Sequence, residues 1–127
     1  MSILGCPSEH EEQAALVVWC KLNERKHPEL AWVFAIPNGG YRHPATAGRL
    51  KAEGVRRGYP DLGLDVARGG FHGLRIELKR RKGGGLSPEQ HTWGVRLMRQ
   101  GYDWNVARGW EEARDVLLRY LALPVAP

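Results

Sequence analysis

Alternation of apolar and charged side chains over residues 74–79 constrains the fold of this chain most strongly. Such a period-two pattern predicts a β-strand with one apolar and one polar face. The polar face carries Glu77 and Lys79 side by side. Asp61 stands at the start of a second short apolar segment, residues 62–66, which predicts the neighbouring strand of a hairpin. Two carboxylates and one ammonium group would then converge, and this set of groups suits Mg²⁺.

The same residues also fit a purely structural interpretation. Pro60-Asp61 is a common turn dipeptide that needs no chemical role to explain it. Glu77 and Lys79 would then occupy the solvated side of a half-buried sheet, where charged residues are ordinary. These residues alone leave both interpretations open.

The length and composition of the chain indicate one folded domain with a basic character. Its 127 residues are enough to bury a core, and a hydrophobic fraction of 43% with five Trp argues against disorder. Lys and Arg number 19 against 14 Asp and Glu, and the net charge of +5 favours a polyanionic partner. Cys6 and Cys20 are too few for a disulfide framework, and no run of about 18 apolar residues exists. We therefore expect a cytoplasmic protein with no membrane partner.

A capping box predicts the first helix. Ser8 and Glu11 are spaced so that each side chain would accept a hydrogen bond from an unpaired amide at a helix start. The helix is predicted to run to about Arg25, with Glu9 and Glu12 in its first turns, beside a buried stripe. The apolar residues of that stripe, at helical spacing, are Ala15, Val18, Trp19 and Leu22.

Apolar runs and turn residues divide the next part of the chain. Residues 31–36 are apolar, with β-branched and aromatic members, and they are followed by Pro37 and two glycines. This run predicts a buried strand that ends in a turn. Pro44 and Gly54 bracket a short predicted helix over residues 45–53.

A second capping box begins another helix, with Ser87 as N-cap, Pro88 at the first helical position and Gln90 closing the box. This gives Gln90 a complete structural explanation, with which any functional role must compete. The predicted buried face of the helix comprises Trp93, Leu97 and Met98. Residues 104–107 predict a fourth strand, and an amphipathic stripe from Trp110 onward predicts the last helix.

The element order α-β-α-β-β-α-β-α predicts an α/β fold in which a small mixed four-stranded sheet is flanked by helices. Within it, Pro60-Asp61 and then Glu77-Leu78-Lys79 on the next strand resemble the PD-(D/E)xK nuclease signature. The wider pattern resembles the VRR-NUC family of nucleases, in the small stand-alone form of phages and bacteria. The stretches that match in order are residues 8–9 with Gln13, 36–40, 47–54, 58–61, 74–79, 86–90 and 101–102. The resemblance covers about residues 8–121 and implies one nuclease domain, 1–127, with a restriction-endonuclease-like core.

The resemblance implies roles for the residues of the predicted site. Asp61 and Glu77 would hold Mg²⁺ or Mn²⁺, helped by the backbone carbonyl of Leu78. Lys79 would orient the attacking water or help to deprotonate it, and Gln90 would line the site. Phosphodiester hydrolysis suits such a set, because negative charge builds on the phosphate oxygens while water attacks in line. The two carboxylates favour the protonated form of Lys79, so we expect it mainly to position and stabilise.

The family's site also includes an acid on the first helix. Glu9 precedes Gln13 by four residues, as in the family pattern, and it would contribute to catalysis and to metal binding, directly or through water. Glu12 is the alternative, because it lies nearer the buried stripe.

Substrate recognition is expected to depend on phosphate contacts and DNA shape, since no base-reading element is evident. The candidate DNA contacts are Asn38, Arg42, Arg49, Lys51, Arg56, Arg57, Arg80, Arg81 and Lys82. The resemblance implies branched DNA as the substrate. A Holliday-junction resolvase is expected to be a homodimer, because a four-way junction has near two-fold symmetry and needs two cuts. The alternatives are a flap- or nick-directed nuclease, and a binding module whose acids are structural and which requires no metal.

Overall fold

The computed structural model describes residues 5–37 and 44–125. The helices of this described part are α1 (Glu9–Leu22), α2 (Pro44–Ala52), α3 (Pro88–Arg99) and α4 (Trp110–Leu121). Its strands are β1 (Phe34–Ala35), β2 (Leu62–Leu64), β3 (Leu74–Lys79) and β4 (Asp103–Arg108), and a short 3₁₀ helix, Pro28–Trp32, precedes β1. None of these helices combines the length and the apolar character needed to cross a membrane.

The four strands form one mixed sheet in the order β1-β2-β3-β4. The pairs β1–β2 and β2–β3 are antiparallel, whereas β3 and β4 run parallel. A bridge between Arg68 and Phe71 lies in the hairpin connection of β2 and β3, and α3 lies in the crossover that a parallel pair requires. The predicted small mixed four-stranded sheet flanked by helices is therefore confirmed.

The register gives the sheet an apolar face and a polar face. Leu62 pairs with Ile76 and Leu64 with Leu74, so these four side chains share one face. All four are buried in the main hydrophobic core, together with Tyr120 of α4. Helices α1 and α4 pack on this side. The opposite face carries the charged side chains of β3 and is covered by α3.

Helix α1 is rotated relative to the predicted buried stripe. Its buried positions are Glu12, Leu16 and Cys20, whereas Val18 is 56% and Leu22 is 79% exposed. The prediction that Val18 and Leu22 belong to the core is therefore wrong. The physical reason is the Glu12 carboxylate, which has fixed partners inside the protein, described below, and which turns the whole helix toward them.

Helix α1 also ends earlier than predicted, at Leu22 instead of about Arg25. The side-chain amide of Asn23 donates a 2.9 Å hydrogen bond to the carbonyl of Trp19. The backbone amide of Asn23 donates to the carbonyl of Cys20 at 3.2 Å. These bonds satisfy carbonyls of the last helical turn, so the helix ends at this asparagine.

The predicted strand over residues 31–36 is largely wrong. Pro28 begins a 3₁₀ helix that extends to Trp32, and only Phe34–Ala35 pair with β2. Proline is favoured at the start of a helix, and apolar composition alone does not distinguish a short strand from a buried helical turn. The turn places Leu30 in the core and leaves Trp32 62% exposed.

Helix α3 contacts the sheet through a glycine where we predicted a methionine. Leu97 is buried as predicted and Trp93 is half-buried, but Met98 is 48% exposed. The contact is made by Gly94, on which the ring of Trp104 packs so closely that a Cβ at this position would lie 2.2 Å from it. Because Gly94 has no side chain, α3 approaches β4 closely and stays on the polar face of the sheet.

Candidate active site

Strand β3 carries the centre of the candidate site on its polar face. Glu77 and Lys79 lie on the same face, and they are only 1% and 7% exposed. A solvated sheet surface would expose both side chains, so that structural interpretation is wrong. A buried charged group costs free energy unless hydrogen bonds or opposite charges compensate it. The immediate surroundings of these two residues therefore determine what the site can do.

Asp61 is fixed beside β3 by its backbone and by its side chain. Its carbonyl accepts a 2.8 Å hydrogen bond from the amide of Ile36, directly after β1. Its Oδ2 atom accepts a 2.8 Å hydrogen bond from the amide of Leu78. The Asp61 carboxyl group lies close enough to that of Glu77 to raise its pKa. The structure thus brings together Asp61, Glu77 and Lys79.

Gln90 joins the two charged groups of β3 from the start of α3. It forms the predicted capping box with Ser87: the Gln90 amide donates to Ser87 Oγ at 3.1 Å, and the Ser87 amide donates to Gln90 Oε1 at 2.9 Å. The same Oε1 accepts a 2.8 Å hydrogen bond from Lys79 Nζ, and Gln90 Nε2 donates to Glu77 Oε2 at 3.2 Å. One side-chain amide therefore caps the helix and orients both charged side chains.

The Glu77 carboxyl group is strongly perturbed by its position. Burial, and then the hydrogen-bonded and negatively charged Asp61 carboxyl group, raise the pKa of Glu77 from 4.5 to about 9. The ammonium group of Lys79 opposes this increase in pKa, and the charge of Glu9 adds to it. The physical cause is the cost of placing a second negative charge next to the first in a desolvated position. Near neutral pH, and without a cation, the carboxyl pair therefore retains a proton.

The carboxyl pair has the properties of a cation site. Glu77 Oε1 is buried and has no hydrogen-bond donor in the described part of the chain, and such an acceptor is costly unless a proton or cation lies beside it. No group of three His, Cys, Asp or Glu side chains within residues 5–37 and 44–125 is arranged to hold a metal. Mg²⁺ needs only one or two carboxylates when water and phosphate oxygens complete its shell. Asp61 and Glu77 therefore fit a divalent cation, and Leu78 lies next to both.

The two acids of α1 have different surroundings. Glu12 is 1% exposed and accepts hydrogen bonds from Arg81 Nε at 2.7 Å and from the amide of Trp110 at 3.1 Å. Glu9, one turn earlier, lines an open cleft together with Asp61. Glu12 is thus held in an internal ion pair, whereas Glu9 is the acid of α1 that faces the site.

A cleft of about 730 Å³ opens onto these residues. The polar residues that line it from α1, the sheet and the start of α3 are Glu9, Asp61, Lys79, Ser87 and Gln90. The residues that line it from α2 and the loop after α2 are Ala47, Leu50, Lys51, Val55, Arg56, Arg57, Gly58 and Tyr59. Acids and cations therefore share one cleft, in which a phosphate could meet both.

The predicted DNA contacts near α2 are placed on or beside this cleft where the structure describes them. Those that line it are Lys51, Arg56 and Arg57. Arg49 is exposed on α2 itself. Asn38 and Arg42 lie outside the described residues.

The three basic residues after β3, residues 80–82, differ in their partners. Arg81 forms ion pairs with Glu12 and with Glu111, and both carboxylates raise the pKa of its guanidinium. Arg80 is exposed, with its Nε atom 3.4 Å from the carbonyl oxygen of Pro7, and Lys82 is exposed as well. The charge of Arg81 is therefore already partnered, whereas Arg80 and Lys82 present theirs to solvent.

Sequence reasoning missed Tyr59 and Arg75 as parts of the site's framework. Arg75 is 7% exposed, and its guanidinium lies 5.3 Å from the ring centroid of Phe34 and 4.9 Å from that of Tyr102. Its Nε atom donates a 3.1 Å hydrogen bond to the hydroxyl group of Tyr59, which fixes that wall of the cleft. The alternating sequence pattern could have identified Arg75, because it places Arg75 on the same strand face as Glu77 and Lys79.

Comparison with known proteins identifies the fold's relatives. No model of a known protein family matches the chain, and neither does any curated protein. A solved structure described as "VRR_NUC domain protein" superposes with a TM-score of 0.81 and 32% sequence identity. The match covers 94% of this chain and 92% of that chain, so it extends over the sheet and the helices that build the candidate site. Because fold and sequence agree over nearly the whole of both chains, the protein belongs to the VRR-NUC family of nucleases.

Proposed function

We propose that this nuclease is a metal-dependent, structure-selective DNA endonuclease that resolves Holliday junctions as a homodimer. The observation that carries the proposal is the carboxyl pair of half-buried Asp61 and buried Glu77. Gln90 joins Glu77 to Lys79, and Asp61 and Lys79 line a basic cleft. A binding module has no need to bury the Glu77 carboxyl group between a second acid and a lysine. We further propose that residues 1–127 form one domain with a core of about 8–121.

In this proposal Asp61 and Glu77 hold Mg²⁺ or Mn²⁺, with the Leu78 carbonyl as a further ligand and Glu9 as a ligand through water. When bound, the cation supplies positive charge for the phosphate oxygens and lowers the pKa of a water molecule. The hydrogen bond from the Leu78 amide to Asp61 Oδ2 holds that carboxylate in place before substrate arrives. The site is therefore organised in advance of the reaction.

Lys79 and Gln90 act as a unit in the proposed reaction. Gln90 Oε1 holds the Lys79 ammonium group at 2.8 Å, and Lys79 lines the cleft in which a phosphate would lie. Lys79 therefore orients the attacking water and stabilises negative charge on the phosphate, and the Gln90 amide holds Glu77 in register with it.

Affinity for DNA is proposed to come from cations in and around the cleft. These are Lys51, Arg56, Arg57, Arg49, Arg80 and Lys82, with Asn38 and Arg42 beyond the described residues. Arg81 is proposed to support this surface indirectly, because its ion pair with Glu12 holds the loop that carries its neighbours. Phosphate contacts of this kind weaken as salt concentration rises.

The homodimer follows from the symmetry of the proposed substrate. A four-way junction needs two coordinated cuts, and one chain of this size carries one site. Helix α1 offers apolar surface for an interface, because Val18 and Leu22, one turn apart, are 56% and 79% exposed. Light scattering of the complex with junction DNA should give a protein mass of two chains per junction, and Val18→Glu/Leu22→Glu should abolish the dimer. Only monomer on junction DNA would contradict the dimer and leave the nuclease intact.

Cleavage of a labelled four-way junction, beside linear duplex, flap and nicked DNA, tests the proposed activity. Wild type, Asp61→Ala and Asp61→Asn are compared in Mg²⁺, Mn²⁺ and EDTA. The asparagine variant retains an oxygen that can accept the hydrogen bond of the Leu78 amide, so it removes charge and keeps the local fold. Paired symmetric nicks on the junction, lost in EDTA and in both variants, are expected.

Two other results would replace this proposal by its alternatives. Preferential cleavage of flaps or nicks would keep the nuclease and discard the resolvase. Binding without cleavage in either metal, unchanged in Asp61→Ala, would identify a nucleic-acid-binding module with structural acids.

A further inference from the structure

Helix α3 carries a second basic surface outside the cleft. Its outer side borders a cavity of about 410 Å³. The residues that line this cavity are His91, Thr92, Val95, Arg96, Arg99 and Gln100. All of them except Val95 are exposed, and the lining residues include two arginines and a histidine but no acid. A surface of this composition suits an anionic partner.

The charges of Arg96 and Arg99 are available to such a partner. Neither guanidinium makes an ion pair within residues 5–37 and 44–125. By contrast, Arg68, Arg75 and Arg81 each pair with a carboxylate of the protein. A guanidinium group without a carboxylate keeps its donors and its charge for an external phosphate, whose geometry it matches.

Aromatic rings connect this surface with the cleft. Tyr59, which lines the cleft, contacts Trp93 of α3 edge-on, with ring centroids 5.1 Å apart. The guanidinium of Arg96 in turn lies 4.7 Å from the centroid of the Trp93 ring. This cation–π contact orients the Arg96 side chain. The cleft and the outer side of α3 are thus connected through the contacts of Tyr59, Trp93 and Arg96.

The direction of α3 sets the distance between the two surfaces. The helix begins at the site, where Gln90 contacts Glu77 and Lys79. Along the helix axis, Arg96 and Arg99 lie roughly 9 and 14 Å beyond Gln90, at about 1.5 Å per residue. A DNA duplex rises about 3.4 Å per base pair. For a duplex arm that runs along α3, these arginines would therefore meet phosphates about three to four base pairs from the bond that is cut.

We propose that the outer side of α3, through His91, Arg96 and Arg99, is a second phosphate-binding surface that holds a duplex arm of the substrate. This inference rests on the proposed DNA nuclease activity and adds to it the class of DNA that the site requires. The substrate has base-paired DNA extending at least about three base pairs from the scissile phosphate, on the side of α3.

The double variant Arg96→Glu/Arg99→Glu tests this surface. Its matched control is Arg25→Glu/Lys26→Glu, which reverses two exposed cations in the turn after α1 and changes the net charge equally. Binding to a long-armed junction is measured in EDTA at several salt concentrations by fluorescence anisotropy. The slope of log K against log salt is negative, and we expect its magnitude to decrease by about two in the double variant and to remain at the wild-type value in the control.

The length of the duplex arm separates this inference from the proposed activity. On a substrate whose arm is shortened to two base pairs, closed by an uncharged linker so that they stay paired, the double variant and wild type should cut in Mg²⁺ at equal rates, because no phosphate reaches Arg96. Arg99→Glu alone leaves the contact between Arg96 and Trp93 intact. It should decrease the magnitude of the salt slope on the long-armed junction by about one. Equal slopes for the double variant and its control on the long arm would overturn the inference without affecting cleavage. If wild type cuts neither substrate but binds the long-armed junction more tightly than the short-armed one, the proposed nuclease activity is wrong and the inference about α3 is not.

Discussion

The ammonium group of Lys79 donates a 2.8 Å hydrogen bond to Gln90 Oε1, and the same side-chain amide donates to Glu77 Oε2 at 3.2 Å. Residues two apart on a strand lie roughly 6.6 Å from each other along its axis, so an intermediate group is well suited to bridge them. An uncharged amide does this without neutralising either side chain. Gln90 thereby sets the geometry between the acid and the cation of the site.

We predict that Gln90→Leu lowers the cleavage rate by roughly 10- to 100-fold, as is typical when a partner that orients a metal-binding carboxylate is lost. Because Gln90 also closes the capping box of α3, the leucine variant should be less stable as well. Gln90→Glu is the comparison variant: it keeps the acceptor for Ser87 and Lys79, removes the donor to Glu77 and adds a carboxyl group beside it. Initial rates and thermal melts of both variants check this. Wild-type activity in Gln90→Glu would show that the bond to Glu77 is not needed.

The raised pKa of Glu77 predicts a specific dependence of stability on pH. The pKa of this carboxyl group is about 9 in the folded protein against 4.5 for an unperturbed glutamate, so the folded state retains a proton that the unfolded state releases. The stabilisation is complete below pH 4.5 and is lost as the pH rises toward 9. In EDTA, wild type should lose stability across this range, whereas Glu77→Gln, which has no carboxyl group to titrate at this position, should not. The difference in Tm between Glu77→Gln and wild type should therefore increase with pH. A difference that is constant with pH would contradict the raised pKa.

A divalent cation is predicted to replace this proton. Mg²⁺ should raise the Tm of wild type, because a ligand that binds only the folded state stabilises it by about 2.7 kcal/mol at a hundredfold excess over its Kd. The increase should be larger at high pH, where no proton competes for the carboxyl pair. Glu77→Gln and Asp61→Asn should lose the increase. Thermal melts in Mg²⁺ and in EDTA measure it, and an equal shift in all three proteins would place the cation elsewhere.

The strands that carry the site could be predicted from sequence because their signal is local. Strict alternation over Leu74–Lys79 fixes which side chains share a face. The capping box of Ser87 and Gln90 likewise depends on residues three apart. The burial of Glu77 and Lys79 did not follow from these patterns, since it depends on α3 covering that face.

The rotation of α1 could not be predicted from its own residues. Its apolar spacing fits a stripe through Val18 and Leu22, but the helix turns Glu12 inward instead. The partners that decide this, Arg81 and Trp110, are 69 and 98 residues away in sequence. A single internal carboxylate with distant donors therefore overrides the hydrophobic pattern of a helix whose apolar spacing is weak.

Gly58 is predicted to be irreplaceable because of a close approach to α3. Its φ is +88°, and a Cβ at this position would lie 2.7 Å from the carbonyl carbon of Glu89. Gly58→Ala should lose about 1–2 kcal/mol of unfolding free energy from the left-handed backbone, and about 1–3 kcal/mol more from crowding. Gly54→Ala is the matched control, because Gly54 has a φ of +98° and open space around it. Urea unfolding measures both, and equal losses in the two variants would contradict the crowding.

Arg81 is predicted to stabilise the fold more than it binds DNA. Its Nε atom donates at 2.7 Å to the buried carboxylate of Glu12, so Arg81→Ala should lower the Tm by leaving that carboxylate under-satisfied. The salt slope of DNA binding should hardly change. Lys82 is an exposed neighbour, and Lys82→Ala should decrease the magnitude of that slope by about one and leave stability unchanged. Because both partners belong to one interaction, the losses of Arg81→Ala and Glu12→Gln should be less than additive in the double variant. An unchanged Tm with a reduced slope in Arg81→Ala would instead assign the guanidinium to DNA.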